Sequence, residues 1–396
     1  MNLIFKDPEF SFQLMRALGY SVEKGSDIGE CISTALRIKD GDIESWHDEW
    51  LRTAERINGI AEDCLRAGHR VSAQEAFSRA SGYYRLAEFY EDVHPGDTDF
   101  PLWEKSYHCF NKVRELSNPS FEVIEIPYEG TTLPGYFYSA GGGPKPIIIA
   151  HTGFDGTKEE LHFQIVLAAL RRGYNCLTFD GPGQGEVIRK RGLPFRYDWE
   201  KVVTPVVDYA VSRDEVDADR VALMGISMGG YFAPRAAAYD HRIAACIANG
   251  GIFDLFEAFA NNAKLTVEKF RHFLEKYPKQ IDKRSLKSMK KSVGEHWALA
   301  HGMWVFGAGS PSEYFTKIVD YSMKECVEDV ECHMLVIDTE EEHAFPGQSR
   351  KLFDALTCPK DLMVFHTDEG AGLHCQVGAA ELSNQRVLDW LDEKFA

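Results

Sequence analysis

A doubly wound, mostly parallel α/β sheet carrying helical additions is the fold the sequence predicts, and three observations carry that expectation. Short, mostly apolar runs at 146–150, 174–179, 220–225 and 243–248 alternate with helical stretches, as strands covered on both faces do. The first three end in glycine-bearing turns, where ligands meet the carboxyl ends of parallel strands. About 120 residues of helical periodicity precede this alternation, and the sheet pattern is lost again between 253 and 330. The expected units are a helical lid region (1–120), the first part of the sheet domain (121–252), a helical cap insertion (253–330) and the rest of the sheet domain (331–396).

In chain order, Trp46, Trp50, Ala54, Ile57 and Ala61 recur at three- and four-residue steps, one face of an amphipathic helix that Gly68 closes. Ser72-Ala73-Gln74-Glu75 spells a capping box, so a second helix is expected to start there and run through Tyr83 and Tyr90. A third is expected over 102–116. This region shows no titratable cluster, and the reading is packed helices without chemistry, with covering a pocket as the one role left to them.

At residue 121 the period changes to that of strands, 121–128 and 132–138 about a Glu129-Gly130 turn. The apolar strand 146–150 leaves through His151-Thr152-Gly153-Phe154-Asp155-Gly156, and a helix is expected from near Lys158. The next strand ends in Asp180-Gly181-Pro182-Gly183-Gln184-Gly185. That turn lacks both the terminal Lys-Ser/Thr of a P-loop and G-x-G-x-x-G spacing, so it reads as a sharp strand exit and not a nucleotide site.

After a helix at 199–212, the run 220–225 stops at Gly225-Ile226-Ser227-Met228-Gly229 and a small-residue helix follows. A serine on so tight a strand-to-helix turn is held with its hydroxyl exposed above the sheet, the geometry of an acyl-transfer nucleophile. The Met228 N–H faces the same spot, and an N–H from the Phe154 loop is expected to join it as an oxyanion donor. His151 is read as a loop-packing or substrate-contact residue, not a second base, and is assigned with Gly153 to substrate binding.

The 253–330 segment is rich in aromatic residues, read as core or as lining for an apolar pocket, and its lysines at 279–291 read as a solvated helix face. The strand at 333–338 delivers four acids, Asp338, Glu340, Glu341 and Glu342, one of which must orient an imidazole serving Ser227. His343 reads as a neighbour of that site. After the last strand, at 362–365, His374 lies in a small-residue loop where the general base is expected, and a terminal helix closes the chain. Ser, acid, His is the chain order of one class of triad, unlike that of chymotrypsin or subtilisin.

The formal charge of −17 argues against nucleic acid or an anionic membrane surface as partner. No basic-then-apolar leader and no membrane-length apolar run is visible, and nine scattered cysteines form no C-x-x-C pair. Reduced thiols in a cytoplasmic protein, without a zinc site, are expected.

The motifs Asp180-Gly181-Pro182-Gly183-Gln184-Gly185, Gly225 to Gly230, Phe345-Pro346-Gly347-Gln348 and Glu369 to Cys375, behind Val71-Ser72-Ala73-Gln74-Glu75-Ala76, resemble those of one α/β-hydrolase family. It is the family of dihydroxypseudooxynicotine hydrolase and the fungal pigment-pathway hydrolases that shorten polyketides, and the likeness spans nearly the whole chain. The resemblance implies cleavage of a carbon–carbon bond beside a ketone, without metal or organic cofactor, in a cleft between sheet domain and helical lid. It also implies a triad of Ser227, an acid and His374. Counting back from Phe345-Pro346 selects Glu342, where such hydrolases usually carry Asp, with Glu340 and Asp338 as fallbacks. The partner expected is a small molecule with a ketone or ester carbonyl, and a homodimer is left open. The alternatives are a carboxylesterase for an aromatic or apolar ester and, in another class, a non-catalytic regulatory binding protein on the same frame.

Overall fold

The computed structural model describes residues 3–396. Five helices come first: α1 (Pro8–Gly19), α2 (Ile28–Ala35), α3 (Ile43–Arg66), α4 (Arg70–Glu88) and α5 (Pro101–Leu116). Asp7 caps α1 through the amides of Glu9 and Phe10, and Asp42 caps α3 through that of Ser45. The stripe anticipated on α3 is buried, with Trp46 and Trp50 packed among Phe10, Phe77 and Tyr83. The capping box at Ser72 is a correction. Gly68 takes φ +79° and the amides of Gly68 and His69 fold back onto Leu65 and Cys64, so α4 begins within two residues and Ser72 lies inside its first turn, exposed.

The sheet has eight strands: β1 (Glu122–Tyr128), β2 (Thr131–Tyr138), β3 (Lys145–His151), β4 (Asn175–Phe179), β5 (Val216–Ile226), β6 (Ile243–Asn249), β7 (His333–Thr339) and β8 (Lys360–Phe365). Their order is β1-β2-β4-β3-β5-β6-β7-β8. The β1/β2 and β2/β4 pairs are antiparallel and all others parallel. The chain goes from β3 out to β4 and returns to the other side of β3 as β5, so the strand order reverses there and the β3 and β5 exits stand side by side.

Strand alternation feeds two apolar layers. Ile148, Ala150, Ala222 and Met224 face residues 161–166, α6 (Leu167–Arg171) and the terminal helix Ala380–Phe395, whereas Ile147, Ile149 and Leu223 face α7 (Glu200–Val211) and α8 (Gly229–Ala237). Between β6 and β7 the chain forms five cap helices: α9 (Leu255–Asn262), α10 (Val267–Lys276), α11 (Pro278–Met289), α12 (Val293–Val305) and α13 (Pro311–Lys317). The lysine-bearing α11 buries none of its residues, as a solvated face should. Phe256, Phe270, Phe306 and Tyr314 pack as core. Trp297 instead reaches across to the lid, stacked on Phe89. The helix α14 (Gln348–Ala355), between β7 and β8, was not anticipated. Among the described residues no helix is long and apolar enough to cross a membrane.

Candidate active site

Ser227 directly follows β5 with φ +61°, a left-handed conformation that costs a non-glycine residue free energy and persists only where its surroundings impose it. Here they do. The Ser227 amide donates to Asn249 O at 2.8 Å and its carbonyl accepts from Gly230 N at 2.7 Å. A side chain at Gly225 would collide with the Gly229 carbonyl, so the strand can turn this sharply only with glycine there.

The Ser227 hydroxyl lies 2.9 Å from His374 Nε2, and His374 Nδ1 lies 2.6 Å from Glu342 Oε2. Glu342 is itself fixed, because its other oxygen accepts from the amides of Ala344 at 2.8 Å and Phe345 at 3.0 Å. Burial would raise the Glu342 pKa, but the imidazole and those two amides outweigh it and hold it down at about 2. For His374, burial disfavours the imidazolium, and the adjacent Cys375 sulfur and the Glu342 carboxylate more than reverse that, placing its pKa well above the ordinary 6.5. The pair thus keeps carboxylate and imidazole complementary in a site shielded from water.

The other three acids lie elsewhere. Glu340 and Glu341 are exposed and bond to Thr367, and Asp338 accepts from the Thr339 amide. The ring of His343 stands 5.8 Å from that of His374 and packs against Phe12.

Gly153 sits against the serine turn. A Cβ there would come 2.5 Å from Met228 N and 2.6 Å from Ile226 O, so the close approach of the two loops requires its absence. Among the described residues the amides of Met228 and Phe154 donate to no backbone acceptor. Of the two readings of His151, packing is the one the structure fits, and substrate contact is not. It is fully buried among Phe179, Trp199 and Phe232, with Nδ1 3.0 Å from Thr152 O, and it does not line the cavity at Ser227. Strand parity explains this, because residue 151 follows Ile147 and Ile149 into the α7/α8 layer.

The cavity at Ser227 has a volume of about 120 Å³. Its walls include Phe12, Arg16 and Tyr20, residues that carry no functional signal in the sequence. The N-terminal helices are therefore part of the site's wall, and they contribute to a buried charge cluster that has no signature in the sequence. Arg16 pairs with Asp155 at 2.5 Å and Glu160 at 2.7 Å, Tyr20 donates to Glu160 at 2.9 Å, and Arg85 donates to the Asp155 carbonyl at 2.6 Å. Burial would raise the Asp155 pKa, but the two guanidinium groups outweigh it and keep the carboxylate charged. From the cap, His301 Nε2 lies 2.9 Å from the Phe154 carbonyl. Cys375, with φ +52°, holds its sulfur 3.3 Å from His374 Nε2. All nine cysteines are free thiols. Among the described residues no group of three or more His, Cys, Asp or Glu side chains is placed to hold a metal ion.

A family profile described as the alpha/beta hydrolase fold matches residues 145–307. The hydrolase acrC of Aspergillus aculeatus is 34% identical over 98% of this chain and 96% of its own length. The 20-hydroxy-prefusarin hydrolase FUS2 of Gibberella moniliformis is 33% identical over 100% of this chain and 99% of its own. Among solved structures, 2,6-dihydroxy-pseudo-oxynicotine hydrolase superposes with a TM-score of 0.72 at 22% identity, covering 94% of both chains.

Proposed function

The chain belongs to the α/β-hydrolase family and is an enzyme, and we propose that it is a serine hydrolase cleaving a carbon–carbon bond beside a ketone in a β-diketone or acyl-aromatic, polyketide-like substrate. The observation that carries this reading is the unbroken relay from the Ser227 hydroxyl through His374 to Glu342, at 2.9 and 2.6 Å. His374 takes the serine proton while the oxygen attacks the ketone carbonyl, and Glu342 stabilises the imidazolium that forms. The amides of Met228 and Phe154 hold the oxyanion. Collapse breaks the bond to the α-carbon, whose electron pair leaves as an enolate and is protonated by the His374 imidazolium. Water, deprotonated by His374, then attacks the acyl-serine and releases the carboxylic acid. The net reaction adds one water across the carbon–carbon bond.

The choice of bond is supported by the motif resemblance described above, and hydrolysis as such by a relative named for acting on 20-hydroxy-prefusarin. A β-diketone or acyl-phenol suits the mechanism because its departing carbanion is delocalised. The same relay would serve a carboxylesterase, whose alkoxide leaving group needs no such stabilisation. A regulatory binding protein has no use for a buried, fully partnered Ser-His-Glu array. A cytoplasmic, reducing setting belongs to the proposal, supported by nine unpaired thiols. Mass spectrometry of products from β-diketone and aryl-ester panels tests the bond. Acid plus ketone from the diketones, absent with Ser227→Ala, supports carbon–carbon cleavage, whereas turnover of esters alone establishes the esterase.

A further inference from the structure

The turn Gly181-Pro182-Gly183-Gln184-Gly185 holds a side chain that the reaction above leaves unused. Gln184 is buried to 1% exposure, and its amide nitrogen donates to Thr152 O at 2.7 Å and to Gly153 O at 3.2 Å. Its amide oxygen accepts from the Gly181 amide at 3.0 Å, so the side chain cannot rotate without losing bonds at both ends. His151 Nδ1, 3.0 Å from the same Thr152 carbonyl, braces that oxygen from within the sheet layer.

The Gly153 carbonyl and the Phe154 N–H are the two ends of one peptide group. Such a group is planar and trans, so a donor that fixes its C=O also fixes the opposite direction of its N–H. Phe154 N–H therefore points away from Gln184, and Gly153 places that peptide against the Met228 amide. A hydrogen bond accepted by the carbonyl also polarises the amide and strengthens its N–H as a donor.

Resting on the serine-hydrolase reading, we infer that Gln184 is a positioning residue for the oxyanion site: through the Gly153–Phe154 peptide it aims the second of the two N–H donors. It acts through the backbone and touches no substrate. The Phe154 and Asp155 carbonyls are held by His301, from the helices between β6 and β7, and by Arg85, from the helices that precede the sheet, so all three parts of the chain converge on this loop, with Gln184 setting the plane of its Gly153–Phe154 peptide.

The test compares Gln184→Met, which keeps length and loses the donor, and Gln184→Asn, which keeps the amide and loses reach, with wild type and Ser227→Ala. Turnover is measured on the fastest substrate of the panel, and the affinity of phenylboronic acid, whose serine adduct mimics the tetrahedral intermediate, is measured alongside. Misaiming one donor is expected to lower kcat about 10- to 100-fold. KM should move less than about threefold, and boronate affinity should fall by the same factor as kcat/KM. Wild-type kcat and boronate affinity in either folded variant overturn the inference, as does a rise in KM with kcat intact. If Gln184→Met fails to fold, Gln184→Asn alone decides. Turnover retained by Ser227→Ala would sink the serine mechanism itself, whereas active Gln184 variants beside a dead Ser227→Ala sink only this inference.

Discussion

Replacing Glu342 by Gln changes one atom of the relay, and the structure sets the size of the effect. Oε1 already accepts from the Ala344 and Phe345 amides, so in Glu342→Gln that position must stay oxygen and the new NH₂ falls where Oε2 was, 2.6 Å from His374 Nδ1. Nδ1 must then accept, the ring proton moves to Nε2, and the nitrogen facing Ser227 can no longer take its proton. Flipping the amide instead would abandon two backbone hydrogen bonds worth about 0.5–1.5 kcal/mol each and leave their donors buried. The expected loss in kcat is about 10³- to 10⁴-fold, the scale found when a triad carboxylate becomes an amide, or roughly 4–5.5 kcal/mol of barrier.

The pH profile supplies a second readout. His374 must be neutral to accept the proton, so kcat/KM falls as pH drops through its pKa. That pKa is held well above 6.5 in spite of burial, so the wild-type acidic limb lies above 6.5. Without the carboxylate, one of the two groups that offset burial is gone, only the Cys375 sulfur remains against it, and the limb of the residual activity should move downward. Stopped-assay rates on titrated enzyme between pH 5 and 9, roughly the range in which an imidazole titrates, would show both effects. Activity within about tenfold of wild type, or an unmoved limb, would refute the reasoning. The exposed Glu340, as Glu340→Gln, should leave rate and profile unchanged.

Ser227→Ala and His374→Ala should each lower kcat by roughly 10⁴-fold or more with far-UV circular dichroism unaltered. Gly153→Ala drives a Cβ to within 2.5 Å of Met228 N, and kcat should fall about 100-fold as the serine turn is displaced. Arg16→Ala leaves the buried Asp155 and Glu160 with the more distant Arg85, at 3.9 and 3.8 Å, as their remaining guanidinium, and should cost about 3 kcal/mol in urea unfolding. A loss under about 1 kcal/mol would show the pairs to be no stronger than surface ones.

Ser227 was legible because its signal is local: the apolar strand, the glycines of the turn and the small-residue helix lie within a dozen or so positions. His374 and Glu342 were legible as strand exits, since a parallel sheet brings the carboxyl ends of all its strands to one rim. Strand position alone left four neighbouring acids open, and only the offset from Phe345-Pro346, through the resemblance, chose Glu342. The backbone amides of Ala344 and Phe345, which anchor Glu342, have no signature in the sequence. The lid cluster was illegible for a different reason. Arg16 and its partners are separated by 139 and 144 positions, and a lone arginine on an amphipathic helix reads as solvated. His151 could have been placed, because its parity with Ile147 and Ile149 already assigns it to a packed layer. Gln184 carried no signal beyond its glycines, since its work is done on the backbone of another loop.

The central claim is that Ser227 is a nucleophile activated by His374, and covalent labelling with a fluorophosphonate reads it directly. Peptide mapping of the wild-type protein should find one phosphonylated residue, Ser227, with labelling slowed severely in His374→Ala and absent in Ser227→Ala. A label on any other residue, or equal labelling rates in wild type and His374→Ala, would contradict the account.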